Sequence, residues 1–177
     1  GIKGNFAMWV GAMIPDINQK LLIVADPGTE LEVLTRLSRV GYDHTIGFLD
    51  GGFETWKATG KEFDTLDQVT AAELCDLPNP TIIDVRKKNE YLSEHVENAV
   101  NIELDYLNQE MASIPINEPF YIHCAGGYRS VIGASILKAR GYHNLMLQEV
   151  LVQLKKHQLR FQITFALALC DTGIYRL

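Results

Sequence analysis

The chain has 177 residues, enough for one large domain or two small ones with a substantial apolar core. Its composition, 47% hydrophobic and 21% charged, is ordinary for a globular protein, and a net charge of −6 without clustered Lys and Arg argues against a nucleic-acid partner. The apolar segment 161–169 is too short to cross a bilayer, so we expect no membrane partner. The three cysteines have neither disulfide-framework nor zinc-site spacing, which favours a reducing, cytoplasmic location.

In the first third of the chain, hydrophobic periodicity predicts alternating helices and strands. The predicted elements are a helix-like opening, a strand at Leu21, a helix from Glu30, a strand over 45–48 and a helix after Gly52. The polar segment 61–68 is the best linker candidate.

Beyond the linker, the sequence T-A-A-E at 70–73 is a capping box that predicts a helix through Leu77, with Cys75 packed on it. The β-rich segments 81–85, 99–102 and 120–123 predict strands. Strands separated by helices indicate an α/β fold with a parallel sheet.

Segments 21–42 and 121–142 align without gaps at an offset of 100 residues, each as a strand, a loop and a helix closed by glycine. We therefore predict two tandem modules, 1–62 and 63–177. The first is truncated, because it has no equivalent of the helix at 70–73 or the strand at 81–85. The chain is accordingly expected to be a piece of a longer protein.

The sequence C-A-G-G-Y-R-S at 124–130 carries the candidate chemistry. Cys124 ends a predicted buried strand, and the following loop and helix start place backbone N–H groups and a positive helix end near its sulfur. Such surroundings stabilise negative charge on sulfur. The predicted loop contacts are Ala125, Gly126, Gly127, Tyr128 and Arg129.

This loop resembles the active-site loop of the rhodanese-like sulfurtransferases. Further similar motifs are D-V-R at 84–86, Glu90-Tyr91 and E-H-V-E-N-A-V-N-I at 94–102. The resemblance implies parallel-sheet modules in which the Cys124 thiolate takes a sulfane sulfur from thiosulfate or a low-molecular-weight persulfide and passes it to a thiol, sulfite or cyanide acceptor. No cofactor and no metal is expected.

Three roles stay open at this stage. Arg129 either orients an anionic donor or forms an ordinary ion pair with a carboxylate. Asp84 and Arg86 either support the loop structurally or take part in catalysis. His123 precedes the nucleophile, and strand alternation predicts that it points away from Cys124 into the core or an interface.

The first module resembles the same family without its chemistry, since Val24 and Thr29 stand at the positions of Cys124 and Arg129. Its opening sequence at 1–16 is similar to the first of two rhodanese-like modules in bacterial metallo-β-lactamase-fold persulfide dioxygenases. That resemblance implies a metallo-β-lactamase-fold, iron-binding oxygenase domain ahead of Gly1, none of whose ligands is present in this sequence.

The tail at 146–177 does not repeat the closing element of the first module. Either it is a divergent amphipathic helix, or it is read in a shifted frame. We favour the shifted frame, because one permitted back-translation restores a G-F-containing closing segment.

Two other functions remain open. One is a cysteine-dependent phosphatase or arsenate reductase of the related fold, whose loop is usually one residue longer between Cys and Arg. The other is a non-catalytic sulfur carrier or interaction module.

Overall fold

The computed structural model describes residues 6–147 and 161–162. The chain divides at Thr65 and Leu66 into two compact units, called unit 1 and unit 2 here and described separately. Within the described residues, no helix is long and apolar enough to cross a membrane. The assignment of these parts to tandem repeated modules stays a prediction.

Unit 1 consists of helices joined to a short parallel pair of strands. In chain order its elements are α1 (Phe6–Met13), β1 (Leu21–Ile23), α2 (Glu30–Ser38), β2 (Thr45–Phe48) and α3 (Gly52–Ala58). Strands β1 and β2 pair in parallel. Every element predicted for this part of the chain is therefore present.

The core of unit 1 is small. Its buried residues are Ile23, Leu37 and Tyr42, and the Tyr42 hydroxyl donates a hydrogen bond of 2.5 Å to the carbonyl oxygen of Ile14. Gly41, with φ +87°, lets the chain leave α2 and turn toward β2, a conformation that favours glycine.

Unit 2 is a larger α/β structure with more elements. In chain order they are β3 (Gln68–Val69), α4 (Ala71–Cys75), β4 (Ile82–Asp84), α5 (Lys88–Ser93), β5 (His95–Val96), β6 (Val100–Asn101), α6 (Leu107–Glu110), β7 (Phe120–His123), α7 (Tyr128–Lys138), β8 (Asn144–Leu147) and β9 (Phe161–Gln162). Two 3-10 turns flank α6, at Leu104–Tyr106 and Met111–Ser113.

The main sheet of unit 2 has the strand order β3-β8-β7-β4-β6, and all four pairings are parallel. In this register Asp84 lies opposite His123 on one side and Asn101 on the other. The carboxyl ends of β4, β6 and β7 therefore meet at one edge of the sheet, which is where functional groups gather in parallel α/β folds. The predicted parallel α/β architecture is confirmed.

Helix α4 begins with the predicted capping box. The Thr70 hydroxyl accepts from Glu73 N at 3.2 Å, and Glu73 Oε2 accepts from Thr70 N at 2.8 Å. The helix ends at Cys75 and not at Leu77, because Pro78 disfavours helical backbone at the residue before it. Cys75, the last residue of the helix, is exposed, so the expectation that it is packed was wrong.

Helix α7 lies close against β7. A Cβ atom on Gly133 would be 2.9 Å from Ile122 Cδ1, so glycine allows this approach. Phe120 and Ile122 of β7 are fully buried, which fixes the strand that leads to Cys124 in the core.

Part of the doubtful tail is described. Met146 and Leu147 are buried in β8 and pair with β3, and β9 pairs antiparallel with β5. His95 therefore belongs to a strand. The rest of the predicted frameshifted tail, 148–160 and 163–177, lies outside the described residues.

Candidate active site

Cys124 is the first residue after β7, and α7 begins four residues later at Tyr128. The cysteine is 2% exposed at the carboxyl edge of the sheet. Strand, glycine loop and helix therefore follow one another as the sequence predicted. A thiol in this position faces the amino-terminal end of an 11-residue helix, whose free N–H groups favour negative charge.

Two groups of the loop contact the sulfur. The Gly127 N–H donates to Cys124 Sγ at 3.1 Å, and the Cys124 thiol donates to Ser130 Oγ at 3.5 Å. The Ser130 hydroxyl in turn donates to the Gly127 carbonyl oxygen at 2.9 Å. This chain of hydrogen bonds fixes the sulfur against the first turn of α7. Sequence reasoning included Ser130 in the motif but gave it no role.

The other predicted loop residues differ in exposure and in backbone conformation. Ala125 is half-buried, whereas Gly126 and Tyr128 are exposed. Gly127 has φ +83°, a conformation that favours glycine, and Gly126 does not share it. Only one of the two loop glycines is thus required by its backbone conformation.

Arg129 forms a two-pronged ion pair with Glu90 of α5. Its Nη1 lies 2.5 Å from Glu90 Oε2 and its Nη2 lies 2.9 Å from Oε1. The hydrogen bonds from Arg129 hold the pKa of the Glu90 carboxyl below its usual value, and those to Glu90 raise the pKa of the guanidinium. Of the two contacts considered for Arg129, the structure contains the ion pair with a carboxylate.

Asp84 and Arg86 form a second, fully buried ion pair. Arg86 Nη2 donates to Asp84 Oδ2 at 2.6 Å and to the Glu94 carbonyl oxygen at 2.7 Å, while Arg86 Nε donates to the same carboxylate. The Asn101 amide donates to the carbonyl oxygens of both Asp84 and Arg86 at 2.9 Å. This network fixes the segment after β4, which supports the structural role for the pair.

His123 lies in the core beside this network. It is 1% exposed, and its Nε2 is 3.7 Å from Asp84 Oδ2. Among the described residues neither ring nitrogen has a hydrogen-bond partner. Burial lowers the pKa of the imidazole below its usual value, although the Asp84 carboxylate opposes that shift. The predicted core position of His123 agrees with its burial.

Lys87 belongs to the same loop as Arg86 and is half exposed. Its ammonium group contacts the Asp105 carboxylate and lies 4.0 Å from Glu103 Oε2. The hydrogen bond to Asp105 raises the pKa of Lys87. This cation, too, is therefore matched by carboxylates.

The positions of unit 1 that the predicted repeat aligns with Cys124 and Arg129 are Val24 and Thr29. Val24 is 59% exposed, and Thr29 Oγ1 donates to the carbonyl oxygen of Asp26. Neither side chain is a nucleophile or a cation. Within residues 6–147 and 161–162, no group of three His, Cys, Asp or Glu side chains could hold a metal ion.

Comparisons with known proteins agree with this geometry. The family model of the rhodanese-like domain matches residues 67–149. The fold resembles a rhodanese-related protein from Thermoplasma volcanium (TM-score 0.51, 20% identity, 54% of this chain and 97% of that one). It likewise resembles the rhodanese-like domain of a protein from Anabaena sp. (TM-score 0.51, 21% identity, 64% of this chain and 92% of that one).

Two curated proteins are similar in sequence. The uncharacterized protein YqhL of Bacillus subtilis is 37% identical over 60 residues, covering 34% of this chain and 48% of that protein. The adenylyltransferase and sulfurtransferase uba4 of Ogataea parapolymorpha is 30% identical over 79 residues, covering 44% of this chain and 20% of that protein. The chain thus spans less than half of either relative. Residues 67–149 match the model of the rhodanese-like domain, and Cys124 lies within the matched residues.

Proposed function

We propose that this domain is a sulfurtransferase whose nucleophile is Cys124. The observation that carries the proposal is the placement of Cys124 Sγ, 3.1 Å from the Gly127 nitrogen at the start of α7. A sulfur atom fixed there can be a thiolate or a persulfide with its charge stabilised by the loop and the helix. The relative named a sulfurtransferase, uba4, gives independent support at low coverage.

The proposed reaction has two steps. The Cys124 thiolate attacks the outer sulfur of a hydropersulfide R–S–SH; the new Cys124 S–S bond forms, the donor S–S bond breaks, and its electron pair leaves on the thiolate RS⁻. An acceptor thiolate then attacks the outer sulfur of the Cys124 persulfide. That step releases a new hydropersulfide and regenerates the Cys124 thiolate.

Each neighbouring group has a part in this scheme. The Gly127 N–H stabilises negative charge on Sγ, and the Ser130 hydroxyl can reorient from the Gly127 carbonyl oxygen toward the thiolate. The Asp84–Arg86 pair acts as a positioning element that fixes the adjacent loop. None of these roles requires a cofactor.

The phosphatase and arsenate reductase alternative has less support. Four residues separate Cys124 from Arg129, one fewer than those enzymes usually have. The Arg129 guanidinium that would bind the oxyanion is already bound by Glu90 through two hydrogen bonds. The non-catalytic carrier remains an alternative that the following assay addresses.

Sulfur transfer from glutathione persulfide or thiosulfate to cyanide should be measured as thiocyanate formation with three proteins. Wild type and Cys75→Ser should turn over at the same rate, because Cys75 is exposed on α4 and is not part of the loop. Cys124→Ser should be inactive. Turnover by Cys124→Ser at the wild-type rate would refute the assignment of the nucleophile, and a wild type that loads sulfur once without turning over would favour the carrier.

A further inference from the structure

Three cations of unit 2, two directly after β4 and one in the first turn of α7, are each paired with carboxylates. Arg86 is paired with Asp84, Lys87 with Asp105 and Glu103, and Arg129 with Glu90. These three cations and four carboxylates sum to −1 before the charge of the sulfur is counted. Each of the three cations therefore already has its carboxylate partner.

Such a site discriminates between donors by their charge. Thiosulfate carries two negative charges, so its attack by the Cys124 thiolate gathers three charges at the reacting sulfurs. A hydropersulfide has at most a single negative charge on sulfur. Like charges at these distances repel strongly inside a protein, and a cation with a free hydrogen-bonding edge would lower that repulsion further than the loop N–H groups alone.

Arg129 lies in the first turn of α7, directly after the loop, and Glu90 already binds its guanidinium. The carboxylate takes one N–H from each terminal nitrogen of the guanidinium, which is the same two-pronged geometry that a sulfonate or phosphate would use. The Arg129 side chain is 19% exposed and that of Glu90 is 37% exposed. An incoming dianion would have to displace a partly buried ion pair to reach the guanidinium.

We propose that Glu90 is a specificity-determining residue that neutralises Arg129 and thereby makes Cys124 take sulfur from low-charge hydropersulfides in preference to dianionic thiosulfate. This inference rests on the proposed sulfurtransferase function and names its donor class. With thiosulfate the balanced step is attack of the Cys124 thiolate on the outer sulfur, formation of the Cys124 persulfide anion and departure of sulfite.

Glu90→Gln is the substitution that isolates the charge. Glutamine also serves at this capping position of α5, where the Glu90 carboxylate now accepts from Lys87 N, and its amide oxygen can still accept from Arg129. Glu73→Gln is a matched control, because Glu73 has the same capping-box position on α4 but bonds to Thr70 and not to an arginine. The double variant Glu90→Gln/Arg129→Gln removes both charges together and keeps the net charge of the wild type.

The rate of sulfur loading onto each protein should be measured with thiosulfate and with cysteine hydropersulfide at low salt. Wild type should prefer the hydropersulfide, and Glu90→Gln should lower that preference by about tenfold through faster loading from thiosulfate. Sulfate should also inhibit Glu90→Gln at lower concentration than wild type. Glu73→Gln and the double variant should keep the wild-type preference.

A folded Glu90→Gln with the wild-type donor preference, or an equal shift in Glu73→Gln, would overturn the proposal while leaving the sulfurtransferase function intact. If Glu90→Gln does not fold, Arg129→Gln provides the test. It leaves the Glu90 charge unpaired and should slow loading from thiosulfate further, and an unchanged ratio would contradict the inference. Loading of wild type by neither donor would instead refute the proposed function itself.

Discussion

At the scale of single residues, the Cys124 loop is followed by side chains whose charges are already matched. Cys124 is held by Gly127 and Ser130, while Arg129 is bound by Glu90. His123, next in sequence to Cys124, differs from all of them. It is fully buried, with two ring nitrogens that have no hydrogen-bond partner among the described residues. A buried polar group in that condition costs stability.

Because burial holds the pKa of His123 below its usual 6.5, the unfolded chain binds a proton there more readily than the folded one. The contribution of this neutral imidazole to the free energy of unfolding is therefore fully present above pH 6.5. It is lost as the pH falls below that value. The free energy of unfolding is expected to fall by at most about 1.4 kcal/mol per pH unit from this one group.

His123→Leu should reduce this pH dependence. Leucine has a similar size and no polar atoms, so the free energy of unfolding should fall less between pH 6.5 and pH 5 than in wild type. Urea unfolding at several pH values measures the difference. His44→Gln is the control, since His44 is exposed in unit 1. If the free energy of unfolding of His123→Leu depended on pH as strongly as that of wild type, His123 would not be the group responsible for the pH dependence.

The nucleophile loop was predictable from the sequence, because strand, glycines and helix follow one another within a few residues. The partner of Arg129 was not, since Glu90 lies 39 residues away and only the fold brings them together. The signature Glu90-Tyr91 marked the right residue without indicating its contact. The ion pair between Arg129 and Glu90 could therefore be found only in the structure.

At the scale of elements, the turn between β7 and α7 determines where the sulfur lies. Gly127 precedes α7 with φ +83° and ψ −25°, and it is also the donor to Cys124 Sγ. An alanine at position 127 would be strained by the positive φ of that residue. Gly126 does not have a positive φ, and a Cβ there would meet no atom within 4 Å.

Gly127→Ala should therefore destabilise the protein by about 1–2 kcal/mol and slow sulfur transfer, because relief of the strain moves the N–H away from the sulfur. Gly126→Ala should change stability by less than about 0.5 kcal/mol. Thermal unfolding and the transfer assay give both readouts. Equal effects of the two substitutions would mean that backbone conformation does not explain the need for glycine.

Most elements matched the sequence patterns, because amphipathic periodicity and the capping box at Thr70 are local signals. The differences arose where a tertiary contact or a proline decided the outcome. Pro78 ended α4 before Leu77, and strands β5 and β9, which pair with each other, were not predicted. Pairing between strands distant in sequence leaves no periodic signal in either one.

At the scale of the whole molecule, the two units differ in how much apolar surface they bury. Unit 2 has a five-stranded parallel sheet, whereas the described part of unit 1 has a parallel pair of strands. On that pair Leu22 is 74% exposed and Ile46 is 61% exposed. A two-stranded sheet with exposed apolar side chains has little to stabilise it.

Amide hydrogens of β1 and β2 should consequently exchange faster than those of β4 and β7 when the intact chain is placed in deuterated buffer. Proteolytic fragments analysed by mass spectrometry separate the two sets. Protection of β1 equal to that of β7 would contradict this expectation, because it would require unit 1 to be as stable as unit 2.

The central claim is that Cys124 carries the transferred sulfur, and the mass of the protein tests it most directly. After treatment with a hydropersulfide and removal of the excess, wild type and Cys75→Ser should each gain the mass of one sulfur atom, located by peptide mapping on Cys124. Cys124→Ser should gain none. Equal loading of Cys124→Ser, or sulfur mapped to Cys75 or Cys170 in wild type, would contradict the account.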